Sequence, residues 1–146
     1  MGAGADAAQA RSVAIGYKAT ASTADGVAIG FTSVASTAAG VQGFNPADSR
    51  TNKYGGLTSA AQTSTLAAVS IGNGSAQTRQ ITGLAAGKED TDAVNVAQLK
   101  NVNLKYAGNS GSGDVLLNNG TLNLKGEGLI STTADATGVT VKLTEG

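Results

Sequence analysis

At 146 residues the chain has the length of one ordinary domain, but its composition is not that of an ordinary core. Twenty-one glycines, one proline, three tyrosines and two phenylalanines leave an apolar fraction in which alanine is the commonest residue. Ten Lys and Arg balance ten Asp and Glu, which gives no basic footprint for nucleic acid, and zero His and zero Cys remove the usual acid–base, thiol and zinc constellations.

Alanine and glycine bury little area each, so at roughly 25 cal/mol per Å² a single copy gains little from burial. Ordering the backbone costs about 1–2 kcal/mol per residue. The composition therefore predicts an obligate oligomer. No segment approaches the roughly 20 apolar residues of a membrane-spanning helix, and no charged-then-apolar leader opens the chain. The expectation is an excised piece, with Met1 an added start and any export address or anchor outside it.

Residues 1–45 repeat a phrase. Val13-Ala14-Ile15-Gly16 returns as Val27-Ala28-Ile29-Gly30, and Val41 opens a third, degraded copy. Ala21-Ser22-Thr23-Ala24-Asp25-Gly26 returns as Ala35-Ser36-Thr37-Ala38-Ala39-Gly40, again one fourteen-residue period on. A fixed short period with glycine at fixed offsets indicates stacked, near-identical coils. Each period offers two short strands, with Val13 and Ile15 on one face and Ala14 on the other. Gly16, Gly26, Gly30 and Gly40 fall at the corners, where positive φ is tolerated. The reading is a flattened β-roll with Val13, Val27 and Val41 in one column and Ile15 and Ile29 in the next. Val and Ile recurring in register argue against a disordered glycine-rich linker.

The run from Pro46 to Gly56 is polar and turn-rich, and reads as a loop thrown out from the roll. The phrase resumes as Ala68-Val69-Ser70-Ile71-Gly72. Further on, Asp90, Thr91 and Asp92 precede Ala93 to Lys100, a helix start in which Asp90 or Thr91 caps the free N–H groups. Val96, Leu99, Asn103 and Tyr106 follow the 3-4-3 spacing of a coiled-coil seam. Asn95 or Asn103 facing inward would fix register, or surround an anion on the axis. From Lys105 onward strands are expected at Val115–Leu117, 121–125, 129–133 and 138–143, with Asn118-Asn119-Gly120 as a hairpin turn.

Together these residues resemble the YadA-type trimeric autotransporter adhesins, surface fibres of Gram-negative bacteria. Ser12-Val13-Ala14-Ile15-Gly16 is similar to the family's head repeat, and the excursion from about Phe44 to Ala68 to its head insertion. Arg79-Gln80-Ile81-Thr82-Gly83-Leu84-Ala85-Ala86-Gly87 and Asp90-Thr91-Asp92-Ala93-Val94-Asn95-Val96-Ala97-Gln98-Leu99 resemble its neck. The last forty or so residues resemble the fibres' small β-prism connectors, with Tyr106 where one connector class carries tryptophan. The resemblance implies a mainly β fold: a left-handed parallel β-roll head in a homotrimer over 1–76, with its insertion at about 44–68. A neck with a short trimeric helix over 77–104 and a β connector over 105–146 would follow. Val13, Ile15, Val27, Ile29, Val69, Ile71, Val96 and Leu99 are the implied trimer and core packing positions. The family's export and anchoring β-barrel has no counterpart in this sequence, so the resemblance makes the chain a passenger segment outside the cell.

The weaker motifs have blander explanations. Glu89, Asp90 and Asp92 lack the alternating oxygen ligands of a calcium loop. Gly72-Asn73-Gly74 lacks the third glycine and following helix of a dinucleotide site. Asn73-Gly74-Ser75 and Asn119-Gly120-Thr121 fit a glycosylation pattern, yet asparagine–glycine is more simply a turn. The expected function is adhesion to host matrix or cell-surface molecules, with no catalytic residue, metal or cofactor and with ligand contacts unnamed by the sequence. The alternatives are a structural head or stalk segment without its own ligand and an ice-binding roll. The latter needs a threonine ladder of which only Thr23 and Thr37 are in place. A solenoid acyltransferase is opposed by the fourteen-residue period and the absence of histidine.

Overall fold

Small side chains decide how the first half of the chain folds, because a fourteen-residue coil leaves room between its two strands for little more than alanine or serine. The structure, a computed structural model, describes residues 1–45, 57 and 59–145. It is mainly β, and its described residues divide into two compact units, Met1–Ala93 and Val94–Gly146.

In the first unit the strands are β1 (Asp6–Ala7), β2 (Val13–Ile15), β3 (Thr20–Ala21), β4 (Val27–Ile29), β5 (Val34–Ala35) and β6 (Val69–Ser70). They form two parallel three-stranded sheets, ordered β1-β3-β5 and β2-β4-β6. The register keeps the sequence period: Asp6 lies opposite Thr20 and Thr20 opposite Val34, while Val13 lies opposite Val27. Ala19, Ala21, Ala28 and Ala35 are fully buried or nearly so, and Ala14 packs against them, so the two sheets meet through methyl groups. Successive coils sit one strand spacing apart, about 4.8 Å, which forces glycine onto glycine at one corner. Gly16 and Gly30 have φ of 122° and 106°, and a Cβ on Gly16 would lie 2.6 Å from the Gly30 carbonyl carbon. The other corners repeat left-handed residues that are not glycine: Arg11 and Asp25, then Lys18 and Thr32. At Gly26 the sequence pointed to the glycine, but the left-handed residue is its neighbour Asp25.

The third rung of the second sheet is not Val41. Val27 pairs with Val69, and Ala28 with Ser70. Val41 belongs instead to an antiparallel stem: the Ala68 N–H donates to the Thr37 carbonyl (3.0 Å), Gly40 to Ser64 (2.8 Å), Ser64 to Val41 (3.2 Å) and Gly43 to Gln62 (2.7 Å). Gln42 and Thr63 form the bridge between these bonds. The chain thus leaves the roll after β5, and the Val-x-Ile-Gly phrase at Val69 takes the rung that Val41 vacates. The run from Pro46 to Gly56, the middle of the sequence-read insertion, lies outside the described residues.

The second unit contains α1 (Val96–Lys100) and the strands β7 (Asn103–Ala107), β8 (Ser112–Leu116), β9 (Ile130–Ala134) and β10 (Val139–Leu143). Strands β7 and β8 form one antiparallel hairpin, and β9 and β10 another. The second hairpin turns on Asp135, whose carboxylate accepts from the N–H groups of Thr137 and Gly138 and from the Thr137 hydroxyl. Those bonds hold its pKa below the usual carboxylate range. Residues 121–125 alternate like a strand, yet no strand among the described residues pairs with them. Asn118-Asn119 is a turn, but one that follows β8 rather than joining two paired strands. None of this unit's described residues is fully buried.

Gly16 and Gly40 both have positive φ, but only at Gly16 would a Cβ meet another coil. Gly16→Ala should therefore lower stability by about 1–3 kcal/mol more than Gly40→Ala. Thermal unfolding of the two variants checks this, and equal losses would remove coil-on-coil contact as the constraint.

Candidate functional site

Since side chains alternate along a strand, alanines turned inward leave valines and isoleucines turned outward. Val13 is 41 % exposed, Ile15 48 %, Ile29 42 % and Val69 62 %, with Val27 and Ile71 half-buried. The Val13–Val27–Val69 column and the Ile15–Ile29 column therefore form one continuous apolar face on the β2-β4-β6 sheet. Tyr17 and Phe31 extend it by one further repeat position. Their rings stack at 5.9 Å and 10°, and the Lys18 ammonium lies 5.3 Å from the Tyr17 ring centre. Sequence reasoning did not name these two aromatics, although each follows the repeat glycine directly, Gly16-Tyr17 and Gly30-Phe31.

The far end of the roll is closed by Arg79. Its guanidinium donates to the Ile71 carbonyl (2.5 Å), the Phe31 carbonyl (2.9 Å) and the hydroxyl of buried Ser33 (3.0 Å). A Cβ on Gly30 would lie 2.9 Å from the Arg79 Cζ, so the planar guanidinium occupies the place where another coil would stack. Beside it the Val34 N–H donates to the Gly72 carbonyl (2.8 Å), and Thr32 hydrogen-bonds Gln77. On the roll's flank Arg11 and Asp25, one period apart, form a two-point ion pair at 2.5 and 3.0 Å. The hydrogen bond to Arg11 holds the Asp25 carboxyl below its ordinary pKa.

The helix start differs from the sequence expectation. Neither Asp90 nor Thr91 caps α1; the N-cap is Asn95, whose side chain accepts from the Gln98 N–H (3.0 Å) while the Gln98 side chain accepts from the Asn95 N–H (3.2 Å). This reciprocal capping box ties both ends of the first turn, so the helix begins at Val96. Asp92 instead accepts the N–H groups of Lys88 (2.9 Å) and Glu89 (3.0 Å), which lower its pKa. Asn101 ends the helix, its side-chain amide donating to the Ala97 carbonyl (2.8 Å). The expected seam through Asn103 and Tyr106 is therefore absent from this chain. Both residues lie on β7, where Asn103 donates to the Asp114 carboxylate (2.9 Å). Val96 and Leu99, each 66 % exposed, still share a helix face, three residues apart. Among the described residues no helix is long and apolar enough to cross a membrane.

A face of this kind offers surface for association and no reacting group, as in a structural repeat of a fibre. Comparison with known proteins supplies the class. Residues 1–19 and 7–33 match two copies of the YadA head domain repeat, and residues 80–122 match the coiled stalk of trimeric autotransporter adhesin. The chain is a segment of a YadA-type trimeric autotransporter adhesin. It is 51 % identical over 61 residues to autotransporter adhesin BadA of Bartonella henselae, a match covering 41 % of this chain and 2 % of that protein. In this chain the stretch matching the stalk holds a five-residue helix and the β7–β8 hairpin.

Replacing Arg79 removes three charge-assisted bonds at once, so Arg79→Ala should cost about 1–3 kcal/mol of stability in urea unfolding. Arg79→Lys should restore little of it, because a single ammonium cannot span acceptors arranged for a planar fork. Full rescue by lysine would show that charge alone holds the end of the roll.

Asp92 gives a pH prediction of defined sign. Its folded pKa is lowered, so its support of the 88–92 turn is present above the ordinary carboxylate range and lost as pH falls through the lowered value. Protection of the Lys88 and Glu89 amides, measured as exchange relative to the intrinsic rate at the same pH, should fall at acid pH in the native protein. In Asp92→Asn it should already be low at neutral pH, whereas full protection there would dismiss the carboxylate.

Proposed function

We propose that this chain is a passenger segment of a bacterial surface fibre, working as a homotrimer that attaches the cell to host cells or matrix, without catalysis. The carrying observation is the division of side chains: alanine fills the interior while Val13, Ile15, Ile29, Val69, Val96 and Leu99 face out. Monomeric soluble proteins seldom expose contiguous apolar patches of that kind unless a partner covers them. The reading assigns the cover to two further copies of the same chain. The β2-β4-β6 face, with Val27 and Ile71 completing its columns, then lines a threefold axis as a left-handed roll, and the Val96–Leu99 face of α1 packs against its own two copies.

In this arrangement residues 1–76 form the head, 77–104 the neck that narrows it, and 105–146 a small β connector. The similarity to an adhesin of Bartonella henselae supports attachment as the activity. Three identical surfaces on one rigid body let weak contacts act together, since linked sites raise effective concentration. The proposed setting is the outer face of a Gram-negative cell.

Light scattering after size exclusion should give a mass three times that of the chain, and a folded monomer would overturn the proposal. Leu99→Asp would bring three carboxylates together on the axis, where unpaired buried charge costs several kcal/mol. It should split or unfold the trimer, and unchanged assembly would take the helix off the axis. Binding of the trimer to immobilised matrix proteins, absent for dissociated chains, tests attachment itself.

A further inference from the structure

The chain contains two asparagine–glycine pairs, Asn73-Gly74 and Asn119-Gly120. Both share one chemical liability, because glycine puts no side chain in the way of its own nitrogen as it attacks the preceding amide carbon. The structure separates them. The Gly120 N–H donates to the Leu116 carbonyl at 2.8 Å, and a Cβ there would lie 2.4 Å from Val115 Cγ2, so this peptide is held and crowded. Gly74 sits in the left-handed region with φ of 53°, with nothing within 4 Å of its Cβ position. Asn73 is exposed, and among the described residues no acceptor takes the Gly74 N–H.

We propose that Asn73 is a site of spontaneous deamidation that ages the far end of the roll. The Gly74 nitrogen loses its proton and bonds to the Asn73 side-chain carbon. The bond from that carbon to Nδ2 breaks, and ammonia leaves carrying the proton. Water then opens the succinimide at one carbonyl or the other, giving aspartate or isoaspartate, with no change in oxidation state. In isoaspartate the chain runs through the former side chain, and the former backbone carbonyl becomes a free carboxylate. That carbonyl accepts from the Ala76 N–H (3.0 Å) and the Gln77 N–H (3.3 Å), so the 73–77 turn loses both bonds as built. The turn leads directly to Gln77, bound to Thr32, and to Arg79, which closes the roll. Loosening it therefore reaches the cap.

The test incubates the purified protein in mildly alkaline buffer at body temperature. Peptides are then mapped by mass spectrometry with electron-transfer fragmentation, which distinguishes isoaspartate. In the folded protein Asn73 should convert about tenfold faster than Asn119, a barrier difference of about 1.4 kcal/mol. In urea the two rates should converge, because only the fold distinguishes them. Aged protein should melt below fresh protein, and Asn73→Gln should hold its melting point through the same incubation. Equal rates in the folded state, or an unchanged melting point after complete conversion at Asn73, would overturn the proposal.

Discussion

Everything in the first unit depends on two strands lying back to back within fourteen residues. A conventional sandwich separates its sheets by about 10 Å and fills the gap with large side chains. Here the gap is filled by Ala14, Ala19, Ala21, Ala28 and Ala35. Once the inward positions are alanine, strand alternation sends every larger apolar residue of β2, β4 and β6 outward. The same small cross-section brings successive corners into contact, which is why Gly16 must lie on Gly30. A thin core and an apolar exterior are therefore two aspects of one geometry. The single coil stack makes sense energetically as one part of a larger assembly.

A stack of identical coils has no internal reason to stop, and its last coil would leave backbone groups and a bare glycine corner open to further pairing. In this chain two features end it. The stem of residues 37–43 and 62–68 leads the chain away after β5 and returns it at Val69. The Arg79 side chain then covers Gly30 and takes the carbonyls of Phe31 and Ile71. A guanidinium suits this role because its planar fork meets several acceptors at once. It ends the ladder without adding another rung.

The second unit shows the same thinness with different elements. A five-residue helix is too short to persist on propensity alone. Its capping box and the Asn101 amide secure both ends, while Val96 and Leu99 stay about two-thirds exposed. The two hairpins likewise keep their pairing bonds, and the second its Asp135 turn carboxylate, but neither buries a residue fully. Local hydrogen bonds fix the shape of each piece, and the larger apolar side chains stay largely exposed.

By itself the sequence determined the features that depend on spacing. The fourteen-residue register, the strand faces of Val13 and Ile15, and the family were all legible, because stacked coils write their period into the chain. The tertiary structure decided which copy fills which rung: Val41 opens a degraded copy one period after Val27 and Val69 a fuller one, and the antiparallel stem shows that Val69 pairs with Val27. It also moved the helix start to Asn95, since Asp90, Thr91 and Asn95 are all good cap residues and the reciprocal bond with Gln98 chooses among them. The 3-4-3 spacing past Leu99 misled because it is compatible with a helix, while the β7–β8 hairpin supplies five paired positions from Asn103 onward. Arg79 had no periodic signal at all, because its partners lie up to 48 residues away and meet it only when the roll is built.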